Sequence, residues 1–427
     1  MARVMKWTLA TLVMVAAMAV GVLAGPARTA LAHASLVSST PVANSVLELS
    51  PLKIELQFSE PIEAGLASIQ LFDGSGRKVG LGDPTAGAGV ATVVAEVPTL
   101  GDGVYAVVWR VTSVDGHVVD GAFSFQVGAA GGDGQALIDA VRRGVRAAPE
   151  VGRIYGVLRF LAYLAAVALL GAGWWIAQGA AVGHAAGRRW RLLPTVAAIT
   201  LLVASIGAFL FFGAEAVAGS VGDAFSPAVW SDVAGTRTGA LLVGRIGLAA
   251  AWVALVRVHR RLPRESVTTI GFVMAVCTLY TFSAAGHPTT LDPSALWIAI
   301  DLFHLAAITV WLGGLLAFAL LPRAALALPE GEQLAKRFSR TALVAVPVVV
   351  ATGAALGWQL NDGLEGITDT EWGEALVAKT IIVAVVLAIA GVSRWFLHRH
   401  SARSMWGTVV MEAALGIVVV ALAASIV

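Results

Sequence analysis

The stretch Ser283–Gly314, with the sequence SAAGHPTTLDPSALWIAIDLFHLAAITVWLGG, decides how the C-terminal part of this chain folds. It contains the end of one apolar segment, a polar loop, and a second apolar segment long enough to cross a lipid bilayer. Ionisable residues are costly inside a membrane span, so they pair, line a wet cavity or bind a ligand. His287 precedes the loop, and Asp301 and His304 share one face of the second segment at helical spacing. We therefore expect a helical hairpin that carries a ligand site.

Similar apolar segments fill the chain after residue 154. The sequence is 58% hydrophobic and only 13% charged, which excludes an ordinary soluble globular protein. The net charge of +2 gives no reason to expect a nucleic acid partner. We predict a multidomain membrane protein with an all-α bundle of eight spans over residues 155–427. The spans lie near Val157–Val182, Leu193–Phe212, Gly239–Val256, Val267–Ala285, Leu296–Leu321, Ala342–Leu360, Ala375–Phe396 and Gly407–Val427.

The charges of the loops predict the orientation of this bundle. Basic residues concentrate in the loops after the first, third, fifth and seventh spans, for example Arg188, Arg260 and Lys336. The alternate loops carry acidic residues such as Asp292. Because positively charged loops stay in the cytoplasm, the pattern predicts a multi-pass protein in the lipid bilayer of a bacterial cytoplasmic membrane. The loop after His287, the segment before the first span and the C-terminus would then be extracytoplasmic.

Residues 1–32 have the pattern of a secretory signal peptide. Arg3 and Lys6 precede an apolar stretch, and the sequence ALA at residues 30–32 matches the small-x-small cleavage pattern. Cleavage after it would make His33 the N-terminal residue, with an α-amine beside its imidazole. The alternative is an uncleaved anchor helix, in which His33 is an ordinary loop residue.

Residues 33–128 have a different character from the bundle. Apolar and polar residues alternate in LKIELQF at residues 52–58 and in SIQLF at residues 68–72, and glycine-rich turns separate such runs. Several short strands with regular turn signals predict a small all-β sandwich.

The histidines of this exported segment predict a metal site. Within residues 34–128 the sequence has one histidine, His117, in the turn sequence VDGH. An N-terminal His33 chelates through its amine and a ring nitrogen, His117 adds a third nitrogen, and Asp115 can add an oxygen. A tetragonal set of nitrogen and oxygen ligands suits Cu(II). The alternative for Asp115 and His117 is an ordinary tight turn with an exposed imidazole.

The sequences HASLVSSTPVANSVLELSPLKIELQFSEPI at residues 33–62 and YAVVWRVTSVDGHVVDGAFSFQVG at residues 105–128 resemble the CopC family of exported copper-binding domains. The resemblance implies an Ig-like or cupredoxin-like sandwich in which His33, Asp115 and His117 bind Cu(II). Some members of that family also carry a methionine-rich loop for Cu(I). Residues 33–128 contain no methionine, so the soft thioether ligands of such a loop are absent here.

Residues 129–154 are expected to connect the two parts. The sequence AAGGDGQ at residues 129–135 is typical of a flexible linker. The arginine-bearing residues 136–153 are expected to form a short amphipathic helix against lipid headgroups. On this hypothesis the sandwich swings on a flexible tether.

A second set of candidate ligands lies in the bundle. On the predicted orientation His287 is at the outer surface, and Asp301 and His304 lie about 8 and about 12 Å below the start of their span at 1.5 Å per residue. Met274 and Cys277 share a face of the preceding span and offer soft sulfur ligands for Cu(I). The alternative for these two residues is that they are apolar packing residues.

Two acidic residues of the spans have alternative explanations. Asp301 either contributes to the metal path or neutralises Arg159 or Arg245, because buried charges need partners in both cases. Glu412 lies in the last predicted span, and we expect it to pair with a nearby arginine rather than to serve as an exit ligand.

The sequences SAAGH at residues 283–287, DLFHLAA at residues 301–307, WLGG at residues 311–314 and RFSR at residues 337–340 resemble the CopD family of copper membrane proteins. This resemblance implies movement of copper across the membrane, usually inward. It covers most of residues 155–427.

Together these observations predict a copper importer whose exported domain captures Cu(II) and passes it to the membrane domain. The sequence has no GxxxxGK[ST] loop, so ATP-driven pumping is not expected, and we do not expect an enzyme. Two alternatives stay open. One is a membrane redox enzyme that uses a histidine-brace copper or haem. The other is a copper resistance or storage protein without transport.

Overall fold

The structure is a computed structural model that describes residues 34–129, 131–145, 148–360 and 371–426. The expected signal peptide and His33 lie outside the described residues. The chain divides into two compact units. What we call the sandwich unit comprises residues 34–155 and 208–243, and the bundle unit comprises residues 156–207 and 244–426.

Nine β-strands lie in the sandwich unit: β1 Leu36–Thr40, β2 Val46–Leu47, β3 Lys53–Phe58, β4 Ser68–Phe72, β5 Lys78–Val79, β6 Thr85–Ala86, β7 Thr92–Glu96, β8 Gly103–Thr112 and β9 Val118–Val127. They form a four-stranded sheet in the order β1-β3-β7-β6 and a five-stranded sheet in the order β2-β9-β8-β4-β5. The pair β2 and β9 is parallel, and the long hairpin of β8 and β9 is antiparallel. The all-β sandwich predicted from the sequence is confirmed.

The alternating pattern of the strands explains this arrangement. In β3 the side chains of Ile54, Leu56 and Phe58 are buried, while Lys53 and Gln57 are exposed. Successive residues of a strand point to opposite faces, so such a strand covers the core with one face only. Phe58 packs edge-on against Trp109 of β8 at a ring-centroid distance of 5.1 Å, which joins the two sheets.

The longer helices are α1 Gly134–Val145, α2 Pro149–Gln178, α3 Gly187–Ala216, α4 Pro227–Ala234, α5 Arg237–Val258, α6 Arg264–Ser283, α7 Ser294–Leu320, α8 Pro329–Leu360, α9 Glu371–Arg399 and α10 Trp406–Ile426. A single helical turn, Arg323–Leu326, lies between α7 and α8. A π-helical turn, Val167–Ala172, lies inside α2. Within the described residues, eight helices are long and apolar enough to cross a membrane, and all except α1 and α4 belong to this set. The predicted eight-span, all-α membrane bundle is confirmed.

The helix α1 differs from the expectation of a segment that lies against lipid headgroups. Its apolar side chains Leu137, Ile138 and Val141 are buried against Ala106 and Val108 on the outer face of the five-stranded sheet. An amphipathic pattern reports an apolar face but not the surface that covers it. Here the covering surface is protein, so this part of residues 129–154 belongs to the sandwich.

The N-terminus of α5 is capped by a side chain of the sandwich. A carboxylate oxygen of Glu63 accepts a hydrogen bond from the backbone N–H of Arg237 at 2.8 Å, and the N–H of Thr238 also donates to Glu63. The Thr236 hydroxyl accepts from the N–H of Gly239 at 3.0 Å. The first N–H groups of a helix have no partner within the helix, and negative charge is favoured there. Glu63 therefore holds the sandwich to the start of α5.

The C-terminus of α3 is bound by a second side chain of the sandwich. Arg110 donates from Nε and Nη2 to the backbone carbonyl of Glu215 at 3.1 and 2.7 Å. Asp120 lies 3.8 Å from Arg110 and 3.2 Å from Arg142 of α1. Because cations are favoured at helix C-termini, this contact complements the cap at α5. The expectation of a sandwich that swings on a tether is therefore wrong within this unit: the sandwich is held to residues 208–243.

The helix α8 begins well before the predicted span Ala342–Leu360. Its first turns carry the sequence PEGEQLAKRFSR, which the charge pattern assigned to a loop. These residues are good helix formers, and Glu332 and Lys336 pair at 2.7 Å one turn apart. Hydropathy marks the buried part of a helix, so a charged extension of the same helix is missed.

Close packing of α2 against α7 depends on two glycines. A Cβ atom on Gly313 would lie 2.5 Å from Cα of Gly171, and a Cβ atom on Gly171 would lie 1.8 Å from the carbonyl oxygen of Thr309. Gly171 lies in the π-helical turn of α2. Small residues of this kind let the backbones of membrane helices touch. The packing fixes α7, which carries Asp301 and His304.

Candidate metal centre

The turn between β8 and β9 positions Asp115 and His117. The N–H of Ser113 donates to the carbonyl of His117 at 2.8 Å, and the N–H of Gly116 donates to the carbonyl of Ser113 at 2.9 Å. Gly116 has a φ angle of +89°, a conformation that glycine adopts without a steric penalty. The tight closure places the side chains on either side of Gly116 next to each other.

The Asp115 carboxylate orients the imidazole of His117. Its Oδ2 atom lies 2.9 Å from Nδ1 of His117, and its Oδ1 atom accepts from the Ser113 hydroxyl at 2.5 Å. Asp115 is 3% exposed. A carboxylate beside one nitrogen of an imidazole leaves the other nitrogen, here Nε2, as the candidate metal ligand. The structure thus brings together two of the three residues of the predicted Cu(II) site.

Glu60 is a candidate that the sequence reasoning missed. Its carboxylate lies 3.5 Å from the Ser113 hydroxyl. Burial, together with the negative charge of Asp115, raises the pKa of Glu60 to about 7. The N–H of Val114 donates to the carbonyl of Pro61 at 3.1 Å, which holds this segment beside the turn. The sequence alone shows only that Glu60 follows β3. Its neighbours in space come from the pairing of strands that are distant in the sequence.

The first described residues of the chain lead toward the same segment. Ala34 is fully buried in the sandwich core. Ser35 and Ser59 exchange hydrogen bonds: the N–H of Ser35 donates to the hydroxyl of Ser59, and the N–H of Ser59 donates to the carbonyl of Ser35, both at 2.9 Å. Ser59 precedes Glu60. His33, the third predicted ligand, lies outside the described residues.

His287 lies in a short 3-10 helix, His287–Thr289, after α6. His287 is only 8% exposed. Its carbonyl accepts from the N–H of Thr290 at 3.1 Å and from the Thr290 hydroxyl at 3.0 Å. This turn packs against α7, so the backbone around His287 is fixed within the bundle unit.

His304 of α7 faces α8. Its Nδ1 atom lies 2.8 Å from the Thr352 hydroxyl oxygen, and that hydroxyl donates to the carbonyl of Val348 at 2.5 Å. The Thr352 hydroxyl has one proton, and it donates this proton to the carbonyl of Val348. Its oxygen therefore accepts from the Nδ1–H group of His304. Nε2 is then the lone-pair nitrogen of the ring, as a metal ligand requires.

Asp301 faces α6 instead, within hydrogen-bonding reach of the Ser283 hydroxyl. The arginines proposed to neutralise it have other partners: Arg245 donates to the carbonyl of Thr281 at 2.7 Å, and Arg159 donates to a carbonyl near the end of α10. In the part of the chain that the structure describes, Asp301 belongs to no group of three potential metal ligands, and neither does His304.

The two sulfur residues do not lie together in the interior. Cys277 is a free, exposed cysteine on α6. Met274 is half-buried and packs against the apolar cluster that includes Trp252 and Phe282. This arrangement favours the alternative that both are apolar packing residues.

Three families of known proteins match consecutive parts of the chain. The CopC domain matches residues 36–128. The N-terminal domain of copper resistance protein D-like proteins matches residues 149–292. Copper resistance protein D matches residues 332–426.

Individual proteins are also similar to this chain or to parts of it. The copper transport protein CutJ of Bacillus subtilis (strain 168) is 24% identical over 412 residues, which cover 93% of this chain and 74% of that protein. Copper resistance protein C of Xanthomonas campestris pv. juglandis is 32% identical over 106 residues, which cover 23% of this chain and 83% of that protein. The crystal structure of CopC from Methylosinus trichosporium OB3b has 30% identity and a TM-score of 0.22, and it covers 24% of this chain and 99% of that one.

Proposed function

This chain belongs to the family of copper-handling membrane proteins that join a CopC domain to a copper resistance protein D domain, and from this premise we propose that it imports copper. It binds copper, and it is a multi-pass membrane protein. In our proposal the sandwich captures Cu(II) outside the cytoplasm, and the bundle carries the ion inward. The basic loops after the first, third, fifth and seventh spans support this orientation.

The observation that carries the proposal is the pair of Asp115 and His117. Nε2 of His117 supplies a nitrogen, and the buried carboxylate of Asp115 keeps the ring in place beside a negative charge. The amine and imidazole of His33 complete a set of three nitrogens after cleavage of the signal peptide. Such a set fits Cu(II), the harder of the two copper ions. Glu60 adds a second carboxylate at the rim of this capture site.

The route into the bundle begins at His287 in our proposal and continues to His304. His304 supports this role because its hydrogen bond to Thr352 leaves Nε2 as the ligating nitrogen. Fusion of the capture site to the bundle makes the transfer intramolecular and so raises the effective concentration of copper at the first membrane ligand.

The capture site is tested with the full-length chain purified in detergent. His117→Ala should weaken Cu(II) binding by at least about 100-fold, because loss of even an outer partner of a ligand costs about 10- to 100-fold. His33→Ala should have a similar effect. His259→Ala, at an exposed histidine of the bundle unit, serves as the matched control and should bind Cu(II) as the unmodified chain does. Unchanged affinity in His33→Ala and His117→Ala would remove the capture site.

The route is tested by copper uptake into vesicles that contain the full-length chain. His287→Ala and His304→Ala should each lower uptake while Cu(II) binding at the capture site persists. Normal uptake in both variants would contradict the route. Copper binding without any flux would leave the storage alternative, and a haem Soret band in the purified protein would favour the redox alternative.

A further inference from the structure

The last span, α10, carries a buried acid that the copper route does not use. Glu412 is 2% exposed and lies about 9 Å from the start of the helix at Trp406, at 1.5 Å per residue. The sequence led us to expect an arginine partner. Among the described residues, no ion pair includes Glu412, so that expectation is wrong. Its hydrogen-bond partner is the hydroxyl of Ser393 on α9.

A chain of hydroxyl groups connects Glu412 to the beginning of α10. Ser393 donates to Oε1 of Glu412, and the Ser393 oxygen lies 2.6 Å from the hydroxyl oxygen of Thr408. The Thr408 hydroxyl lies 2.8 Å from the carbonyl of Met405, the residue before α10 begins. Each hydroxyl can accept one hydrogen bond and donate another, so a proton can pass along such a chain by reorientation of the groups. The chain ends at the loop between α9 and α10.

The same acid lines a cavity of about 250 Å³ between α7, α8, α9 and α10. A cavity of this size has room for several water molecules. Apart from Glu412, the charged group that lines it is Arg394 of α9, which donates to the Ser339 hydroxyl of α8 at 2.8 Å. The lining residues from α7 and α8, Trp311 and Ser339 among them, include no titratable group.

We propose that Glu412 is a proton-binding site that couples proton movement to copper movement. A carboxylate buried in a membrane needs a cation or a proton, and the contacts of Glu412 are with a hydroxyl rather than with a basic side chain. One proton leaves the carboxyl oxygen during the inward movement of copper, passes through the hydroxyls of Ser393 and Thr408, and is released to water at the loop between α9 and α10. The carboxylate takes a proton back after this movement. This inference rests on the proposed copper transport and adds a proton to it.

The coupling is tested with the full-length chain in vesicles that enclose a pH indicator, while copper uptake is recorded in parallel. In the unmodified chain, copper uptake should be accompanied by a change in internal pH. Glu412→Gln keeps the shape of the side chain but has no carboxyl proton to release, so the proton signal that accompanies copper uptake should be lost. Glu330→Gln, at an exposed acid at the start of α8, is the matched control and should leave the signal unchanged. Equal proton signals in Glu412→Gln and the unmodified chain would overturn the proposal.

The proton site is separable from copper transport by infrared spectroscopy of the copper-free chain. A protonated buried carboxyl group gives a C=O stretching band that should be lost in Glu412→Gln and shifted in Ser393→Ala. If copper flux is absent but this band behaves as expected, the proposed transport fails and the proton site stands. If flux is present and the band does not change in either variant, the proton site fails and transport stands.

Discussion

At the scale of single residues, the orientation of two imidazole rings determines which nitrogen can meet a metal ion. Oδ2 of Asp115 lies 2.9 Å from Nδ1 of His117, and the Thr352 hydroxyl oxygen lies 2.8 Å from Nδ1 of His304. One of these partners is a buried anion in a turn, and the other is a neutral hydroxyl in a membrane span. An anion stabilises a nearby cation, whereas a neutral hydroxyl only orients the ring. On the proposed function, this difference would let the first site retain copper and the second pass it on.

The residue scale yields a prediction for Thr352→Val. This substitution keeps the volume of the side chain and removes the acceptor for Nδ1 of His304. We expect copper uptake to fall by about 10-fold or more, because outer partners of ligands are worth about 10- to 100-fold. Thr341→Val, on the same helix, removes a hydroxyl that bonds only the carbonyl of Arg337, and uptake should be unchanged. Uptake at the normal rate in Thr352→Val would show that His304 needs no orientation.

Sequence reasoning reached the residues whose signal is local and missed those whose neighbours are distant. Asp115 and His117 lie in one short turn, and the histidine count within residues 34–128 singled them out. Glu60 could not be found in this way because its contact with Ser113 depends on the pairing of segments far apart in sequence. Glu412 was noticed as a buried charge, but its partner Ser393 comes from another helix.

At the scale of secondary structure, the eight spans were predictable because hydropathy measures what a bilayer requires. The ends of the helices and the surfaces that the helices contact were harder to predict from the sequence. The helix α1 was expected, but its apolar face gave no means of distinguishing a sheet from lipid. The charged start of α8 was assigned to a loop because its residues are hydrophilic, although they are also good helix formers. The resemblances to the CopC and CopD families are both confirmed by the matched families.

The element scale yields a prediction for Gly313→Ala. The added Cβ atom would lie 2.5 Å from Gly171, so α2 and α7 must move apart. We expect the full-length chain in detergent to lose about 1–3 kcal/mol of stability, as is usual for overpacking. Gly247→Ala on α5 is the matched control, because a Cβ atom there meets nothing within 4 Å. The control should be neutral or up to about 1 kcal/mol more stable, since alanine favours helix. Equal melting temperatures for the two variants would contradict the proposed close packing.

At the scale of the whole molecule, the sandwich unit joins the β-sandwich to the ends of two long apolar helices. Glu63 caps the start of α5 and Arg110 binds the end of α3, so the partial charges of both helix ends are met by side chains of the sandwich. The sandwich is therefore fixed to residues 208–243 of its own unit.

The whole-molecule scale yields a prediction for Glu63→Ala. Loss of the cap should cost about 0.5–2 kcal/mol and should loosen the sandwich from residues 208–243. Hydrogen exchange at the start of α5 should increase, and copper uptake at low copper concentration should fall while Cu(II) affinity stays the same. Glu96→Ala, at an exposed acid of β7, is the control for loss of a carboxylate from the same domain. If exchange at α5 is unchanged in Glu63→Ala, the sandwich is not held by this cap.

The length of α8 has a consequence for the membrane itself. Its 32 residues span about 48 Å at 1.5 Å per residue, whereas the hydrocarbon core of a bilayer is about 30 Å thick. The excess carries Lys336, Arg337 and Arg340, whose side chains are long enough to reach a headgroup layer. Longer acyl chains give a thicker bilayer, which would draw this charged end toward the hydrocarbon core. Anionic headgroups would attract its basic side chains and hold them at the surface. Copper uptake by this chain should therefore vary with the lipid composition of the vesicles even when every residue is intact.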